Sequence, residues 1–153
     1  MKQTHFIFPA IIILVFLGGY FLYTNSILTP IDRKTENSIS PKYANATTDM
    51  IVVVSPEVGD TEEQEFIVLG KARGTWYFEA SFPIVVLDTV GRVIAESHAE
   101  AKDDWMTEEF VMFAGVVKLK NPYTGSATLV LKNDNPSGEP GRDRSVSIPI
   151  TIE

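Results

Sequence analysis

The stretch SVSIPITI, residues 145–152, indicates how this chain folds. Its apolar side chains occupy every second position: Val146, Ile148, Ile150 and Ile152. A period of two is typical of a β-strand that buries one face. Pro149 has no amide hydrogen to donate to a neighbour, so we expect one side of this strand to be an open sheet edge.

Six further segments precede this strand: short apolar runs at residues 51–54, 66–69, 84–87 and 93–95, and alternating sets at 111–119 and 127–131. Segments rich in Gly, Pro, Asn and Asp separate them and are typical of tight turns. Seven short strands within about 100 residues predict an all-β fold, an immunoglobulin-like antiparallel β-sandwich. One helical turn is predicted in the domain, around residues 105–109.

The first 49 residues differ in character from the rest. Residues 6–23 are eighteen positions without a charge, which is long enough to span a bilayer as one transmembrane helix. The alternative is a cleaved signal peptide, whose apolar region is usually shorter. Lys2 precedes the span, so residues 1–5 are predicted to be cytoplasmic and the C-terminal domain extracytoplasmic. Residues 24–49, rich in Ser, Thr, Asn and Pro, are predicted to be a flexible linker to a domain at 50–153.

Charge and cysteine content exclude several classes of protein. The net charge is −7, and residues 50–153 carry 9 Lys and Arg against 17 Asp and Glu, a net −8. An acidic domain repels phosphate backbones, so no nucleic acid partner is predicted. The chain has no cysteine, which excludes a disulfide framework and a thiolate metal site. No metal and no cofactor are predicted.

Four motifs occur in a recognisable order: GTWYFEASFPIVVLD at 74–88, DWMTEEF at 104–110, KNDNPSG at 132–138 and the terminal SVSIPITI. Over residues 50–153 the chain resembles the immunoglobulin-like domain of bacterial spore germination proteins. The resemblance implies a cell-surface β-sandwich without known catalysis, located at the bacterial envelope. It also implies a connection with sporulation or germination.

The first of these motifs contains candidate binding residues. In one interpretation Trp76 or Tyr77 is exposed and stacks on a sugar or a peptide, while Glu79 accepts a hydrogen bond. In the other, Trp76 or Phe78 fills the sandwich core, and Glu79 caps a turn or pairs with a base such as Arg73. The sequence favours the core interpretation, because the apolar run at 84–87 is typical of a central strand.

A second candidate is the acidic segment KDDWMTEEF, residues 102–110. Asp104 and Trp105 are candidate ligand-binding residues. A hard cation is an alternative, since Ca²⁺ takes several oxygen ligands, but the spacing matches no EF-hand. A solvated loop is the expectation, with Asp104 accepting from the amide of Met106 or Thr107.

The sequence does not predict an enzyme. His98 is the single histidine of residues 50–153, and nothing else indicates a serine triad. We therefore expect a membrane-anchored, extracytoplasmic, non-catalytic module that binds an envelope protein or a cell-wall polymer. A purely structural spacer or assembly domain of a surface complex is the alternative, and a carboxylate-based hydrolase is a more remote one.

Overall fold

Nine β-strands form the part of the chain that the structure, a computed structural model, describes, which is residues 40–153. The strands are β1 (Lys42–Ala44), β2 (Ile51–Ser55), β3 (Thr61–Glu62), β4 (Glu65–Arg73), β5 (Ser81–Leu87), β6 (Val93–Ala101), β7 (Phe110–Lys118), β8 (Gly125–Lys132) and β9 (Ser145–Ile152). Two 3-10 turns, Gly74–Trp76 and Pro140–Arg142, are the only helical segments in this range. The predicted all-β class is confirmed. The count is nine rather than seven because β1 and β3 are short segments without an apolar period.

Several predictions concern residues outside the described range. The cytoplasmic N-terminus at 1–5, the transmembrane helix at 6–23 and the linker up to residue 39 all lie there. Within residues 40–153, no helix has the length and apolar character needed to cross a membrane.

The strands follow one path, in the order β1-β9-β8-β5-β6-β7-β4-β2, with β3 added beside β9. Neighbours on the path are antiparallel, and only β3 runs parallel to its partner. β4 and β7 pair along nine residues, whereas β6 and β7 pair only at Glu100–Ala114 and Ala101–Phe113. The path therefore turns at the end of β6. Strands β2, β4 and β7 lie on one side of this point, and β1, β9, β8, β5 and β6 lie on the other.

One buried cluster receives side chains from both groups of strands. Alternate residues of β9 point into it, as the period of two predicts, and Ile152 is fully buried. From the other group, Val68 on β4 and Phe113 on β7 reach the same cluster. At the centre the Phe82 ring lies edge-on to that of Phe113, with centroids 5.0 Å apart. Burying such aliphatic and aromatic side chains stabilises the fold by roughly 1.5–3 kcal/mol each.

The edge of β9 is covered, which corrects the prediction of an open edge. β1 pairs with Ser145–Ser147, and β3 pairs with Thr151 and Ile152. Between them the Pro149 carbonyl accepts a hydrogen bond from the Gly59 amide, 2.8 Å away. The proline therefore lies in the gap between two short covering strands, where no donor is required of it.

The folded unit begins earlier than predicted. β1 lies within residues 24–49, which the sequence assigned to the linker, and the compact unit is Ile39–Glu153. Tyr43 on β1 packs against the core, which ties this segment to the domain. The short strand was missed because one partly buried side chain between two exposed ones gives almost no periodic signal.

Candidate functional site

Trp76 and Tyr77 are core residues. Their exposed fractions are 1% and 4%, and both rings lie edge-on to Phe82. The Tyr77 hydroxyl donates to the Val111 carbonyl at 2.8 Å, while Trp76 Nε1 has no partner among the described residues. Neither ring offers a face to a ligand, so the prediction that these two aromatics bind a sugar or a peptide is not supported by their position.

Burial also changes the acidity of one of these groups. Desolvation by burial raises the pKa of Tyr77 well above its usual value, and a backbone hydrogen bond offsets only part of this effect. The phenol therefore stays neutral and acts as a structural donor.

The chain after Tyr77 forms a tight turn with Glu79 and Ala80 at its centre. Phe78 and Ser81 exchange both backbone hydrogen bonds, at 3.0 and 3.1 Å, across Glu79 and Ala80. Glu79 (φ 49°) and Ala80 (φ 63°) both adopt the left-handed conformation, which costs a residue with a Cβ roughly 1–2 kcal/mol. Phe78 is 41% exposed, so of the two residues that the core interpretation offered, Trp76 fills the core and Phe78 does not. The 3-10 turn at Gly74–Trp76 breaks the strand alternation, so two successive aromatics point inward and the third points outward.

Glu79 is exposed and does not pair with Arg73. Arg73 instead forms a salt bridge with Glu109 at 3.5 Å and donates to the carbonyls of Asp49 and Glu108. Arg73 thus fixes the segment before β7, and the proposed partnership with Glu79 is wrong.

Asp104 and Trp105 belong to a loop that docks on this turn. Asp104 is exposed and its Oδ1 accepts from the Met106 amide at 3.0 Å, as predicted. Trp105 is half-buried against the core. The predicted helical turn at 105–109 is absent, and residues 106–109 form bends instead. The carbonyl oxygens of Trp105 and Thr107 lie so close to Gly74 that a Cβ there would clash with both. So close an approach to the Gly74 backbone fixes the loop in an irregular path. Within residues 40–153, no three His, Cys, Asp or Glu side chains are grouped as a metal site.

The third motif meets the first at the same end of the domain. The Asp134 amide donates to the Trp76 carbonyl at 3.0 Å. A shallow groove between them is lined by Phe78, Asn133 and Arg144, among others. The side-chain amides of Asn133 and Asn135 donate to backbone and side-chain oxygens of the loop itself. Most polar groups here therefore stabilise the loop, and the three motifs form mainly an architectural unit.

A different surface stands out by its exposed apolar side chains. Nine large hydrophobic residues of the described chain are exposed, and five of them share the outer face of the β2-β4-β7 group. These five, called the apolar face below, are Val54, Ile67, Leu69, Met112 and Val116. They are between 40% and 56% exposed. Ile67 lies directly opposite Val116 across the β4–β7 ladder.

The outward positions of β9 on the other group of strands differ in composition, although Val85 on β5 and Val130 on β8 share that outer side. There the outward positions of β9 are Ser145, Ser147, Pro149 and Thr151, and Thr128 lies beside Pro149 on β8. A solvated sheet face is expected to look like this one. The apolar face departs from that pattern, and contiguous exposed apolar surface is typical of an interaction site.

The sequence reasoning did not identify the apolar face, although a signal was present. Residues 66–69 are apolar without interruption, whereas a strand with one solvated face alternates apolar and polar residues. In a domain of two layers, half of such a run must point outward. The uninterrupted run was therefore evidence for a surface that another molecule covers.

Comparison with known families agrees with this architecture. A family model described as the immunoglobulin-like domain of bacterial spore germination matches residues 50–139. The chain belongs to this family. The match ends before β9, so the SVSIPITI motif lies outside it although β9 completes the fold. No curated protein and no solved structure matched the chain.

Proposed function

We propose that this protein is a non-catalytic binding module of the bacterial envelope and that it binds a protein through the apolar face. The observation that carries the proposal is the gathering of five of the nine exposed large hydrophobic residues on one sheet face. A purely structural spacer would expose apolar side chains singly. The family description points to sporulation or germination as the biological setting.

The chemistry of the face favours a protein over a cell-wall polymer. Its exposed large side chains are aliphatic residues and one methionine, with no exposed aromatic ring among them. Ile67 and Val116 also line an open depression that His98, Glu100 and Lys102 border. Polymers rich in hydroxyl groups are bound by aromatic faces combined with oriented hydrogen bonds. Flat apolar patches with charged residues around them are typical of protein–protein interfaces.

The proposal places the domain outside the cytoplasm, anchored by residues 6–23. The uncharged span and the preceding Lys2 support this topology. Protease added to intact spheroplasts should digest the domain. Protection of the domain would reverse the topology, and its release into the medium would favour a cleaved signal peptide.

The binding surface is tested by site-specific photocrosslinking in intact cells. A photoreactive amino acid replaces Met112 on the apolar face, and a matched variant carries it at Val90, which is 72% exposed on the β5–β6 turn. We expect a protein adduct from position 112 and none from position 90. Equal labelling at both positions, or none at either, would overturn the proposal in favour of the spacer.

A further inference from the structure

We infer that the molecule covering the apolar face is a second copy of this chain, packed face to face about a two-fold axis. This inference rests on the proposed function, because it names the partner for the surface assigned there. Closed two-fold dimers are the commonest assemblies of identical chains, and their interfaces are self-complementary. The charges that border the apolar face have this property.

The charged residues of β4 lie on either side of its exposed apolar residues. Along the outward positions of the strand, Glu65 is followed by Ile67, Leu69 and Lys71. Lys71 has no ion pair among residues 40–153, and its ammonium lies 4.9 Å from the centre of the Phe110 ring. Glu65 pairs with Lys118 at 3.0 Å, and both side chains remain more than half exposed. One end of the strand thus carries an acid and the other an unpaired base.

The two-fold axis lies in the plane between the two packed sheets, perpendicular to β4 and level with the point between Ile67 and Leu69. An axis in this position makes the two ends of the strand complementary. It brings Glu65 of one copy opposite Lys71 of the other, and Ile67 opposite Leu69. On the neighbouring strand Val116 comes opposite Ala114, since those residues pair with Ile67 and Leu69 across the ladder. Each dimer would contain two Glu65–Lys71 pairs around an apolar centre, in the aligned arrangement typical of packed sheets.

Overall charge favours this face only relative to the rest of the surface, since its outward β4 and β7 positions sum to +2 on each copy and repel one another to that extent. Residues 50–153 have 9 Lys and Arg against 17 Asp and Glu, so most surfaces of two copies repel each other. The outward positions of β4 and β7 carry Glu65 against Lys71, Arg73 and Lys118. The acidic groups lie mainly elsewhere. Contact through the apolar face therefore keeps the acidic surfaces of the two copies apart.

A charge exchange tests the arrangement. Glu65→Lys and Lys71→Glu each place two like-charge pairs in the dimer, so we expect dissociation constants about tenfold higher. The double variant Glu65→Lys/Lys71→Glu should restore the wild-type value. Residues six apart on one strand are about 20 Å apart, so restoration cannot come from a contact within one domain. The measurement is sedimentation equilibrium of the full chain in detergent, with the unfolding temperature of each variant as the folding control.

A second measurement does not depend on the charge variants, and it uses the absence of cysteine from the chain. Leu69→Cys, treated in cell membranes with a short bifunctional thiol reagent, should give an adduct of twice the chain mass, whereas Val90→Cys should give none. A monomeric wild type, or a double variant that does not recover, overturns the inference. A Leu69→Cys adduct with a different protein overturns the second copy while leaving the proposed function intact. Absence of any adduct in this assay together with no labelling from Met112 overturns both.

Discussion

Two neighbouring aromatic residues of one motif have opposite surroundings. Trp76 is 1% exposed and Phe78 is 41% exposed, although the sequence gives both the same parity. Truncating a buried tryptophan typically costs about 3–5 kcal/mol, a large part of the roughly 5–15 kcal/mol that stabilises a small domain. The two residues should therefore respond differently to the same change.

We expect Trp76→Ala to unfold or severely destabilise the domain, and Phe78→Ala to cost less than about 1 kcal/mol. Urea unfolding of residues 40–153 measures both, and Glu79→Gln, at an exposed position, is the control. A wild-type midpoint for Trp76→Ala would contradict the assignment of this residue to the core.

Asp88 is a buried acid that shapes the turn between β5 and β6. Desolvation raises its pKa, but hydrogen bonds from the amide and side chain of Arg92 and the amide of Val90, together with the Arg92 charge, outweigh this effect. The pKa of Asp88 is consequently below its usual value. A lowered folded-state pKa stabilises the fold above the unfolded value of about 3.9, and this stabilisation is lost as the pH falls through the folded pKa.

The expected result is that Asp88→Asn lowers the melting temperature at neutral pH. It should also reduce the loss of stability between about pH 5 and pH 2. Melting curves across this range check both statements, with Asp103→Asn at an exposed position as the matched control. A variant whose pH profile parallels that of the wild type would show that the turn does not depend on the carboxylate.

At the scale of elements, β1 protects a sheet edge. It pairs with Ser145–Ser147 of β9, and an unpaired edge strand tends to add strands from other chains. A chain that begins at residue 50, where the sequence places the domain boundary, should therefore be less stable than one that begins at residue 40. It should also aggregate more readily. Chemical unfolding and light scattering compare the two, and equal midpoints with equal scattering would show that β1 contributes nothing.

Periodicity predicted the elements well where one face of a strand is polar. The inward residues of β9 follow directly from their alternation with Ser145, Ser147 and Thr151. It failed at Phe78, because the 3-10 turn before it breaks the alternation. A turn of this kind depends on the close docking of the 104–110 loop on Gly74, which is a tertiary contact that a local pattern does not contain.

At the scale of the whole molecule, the all-β class and the immunoglobulin-like family were predictable and the apolar face was not. Exposure of Ile67 and Leu69 depends on how many layers the domain has. The uninterrupted apolar run at 66–69 indicates that both faces of the strand are covered, but not whether a further layer of the domain or another molecule covers the outer one. The burial of Trp76 and Tyr77 likewise depends on Phe82, which lies on another strand. Of the candidate binding residues chosen by type, Trp76 and Tyr77 therefore proved to be core, while the exposed apolar residues lay on strands to which the sequence analysis gave no binding role.

The position of β1 has a mechanical consequence. β1 is the first strand of the described chain, it is three residues long, and it is held to the domain by β9. Tension applied from the N-terminal side reaches this short ladder before it reaches any other strand. β1 would then detach first and add a few residues to the extended chain on the N-terminal side of the domain. This extension lowers the tension before the remaining strands are strained.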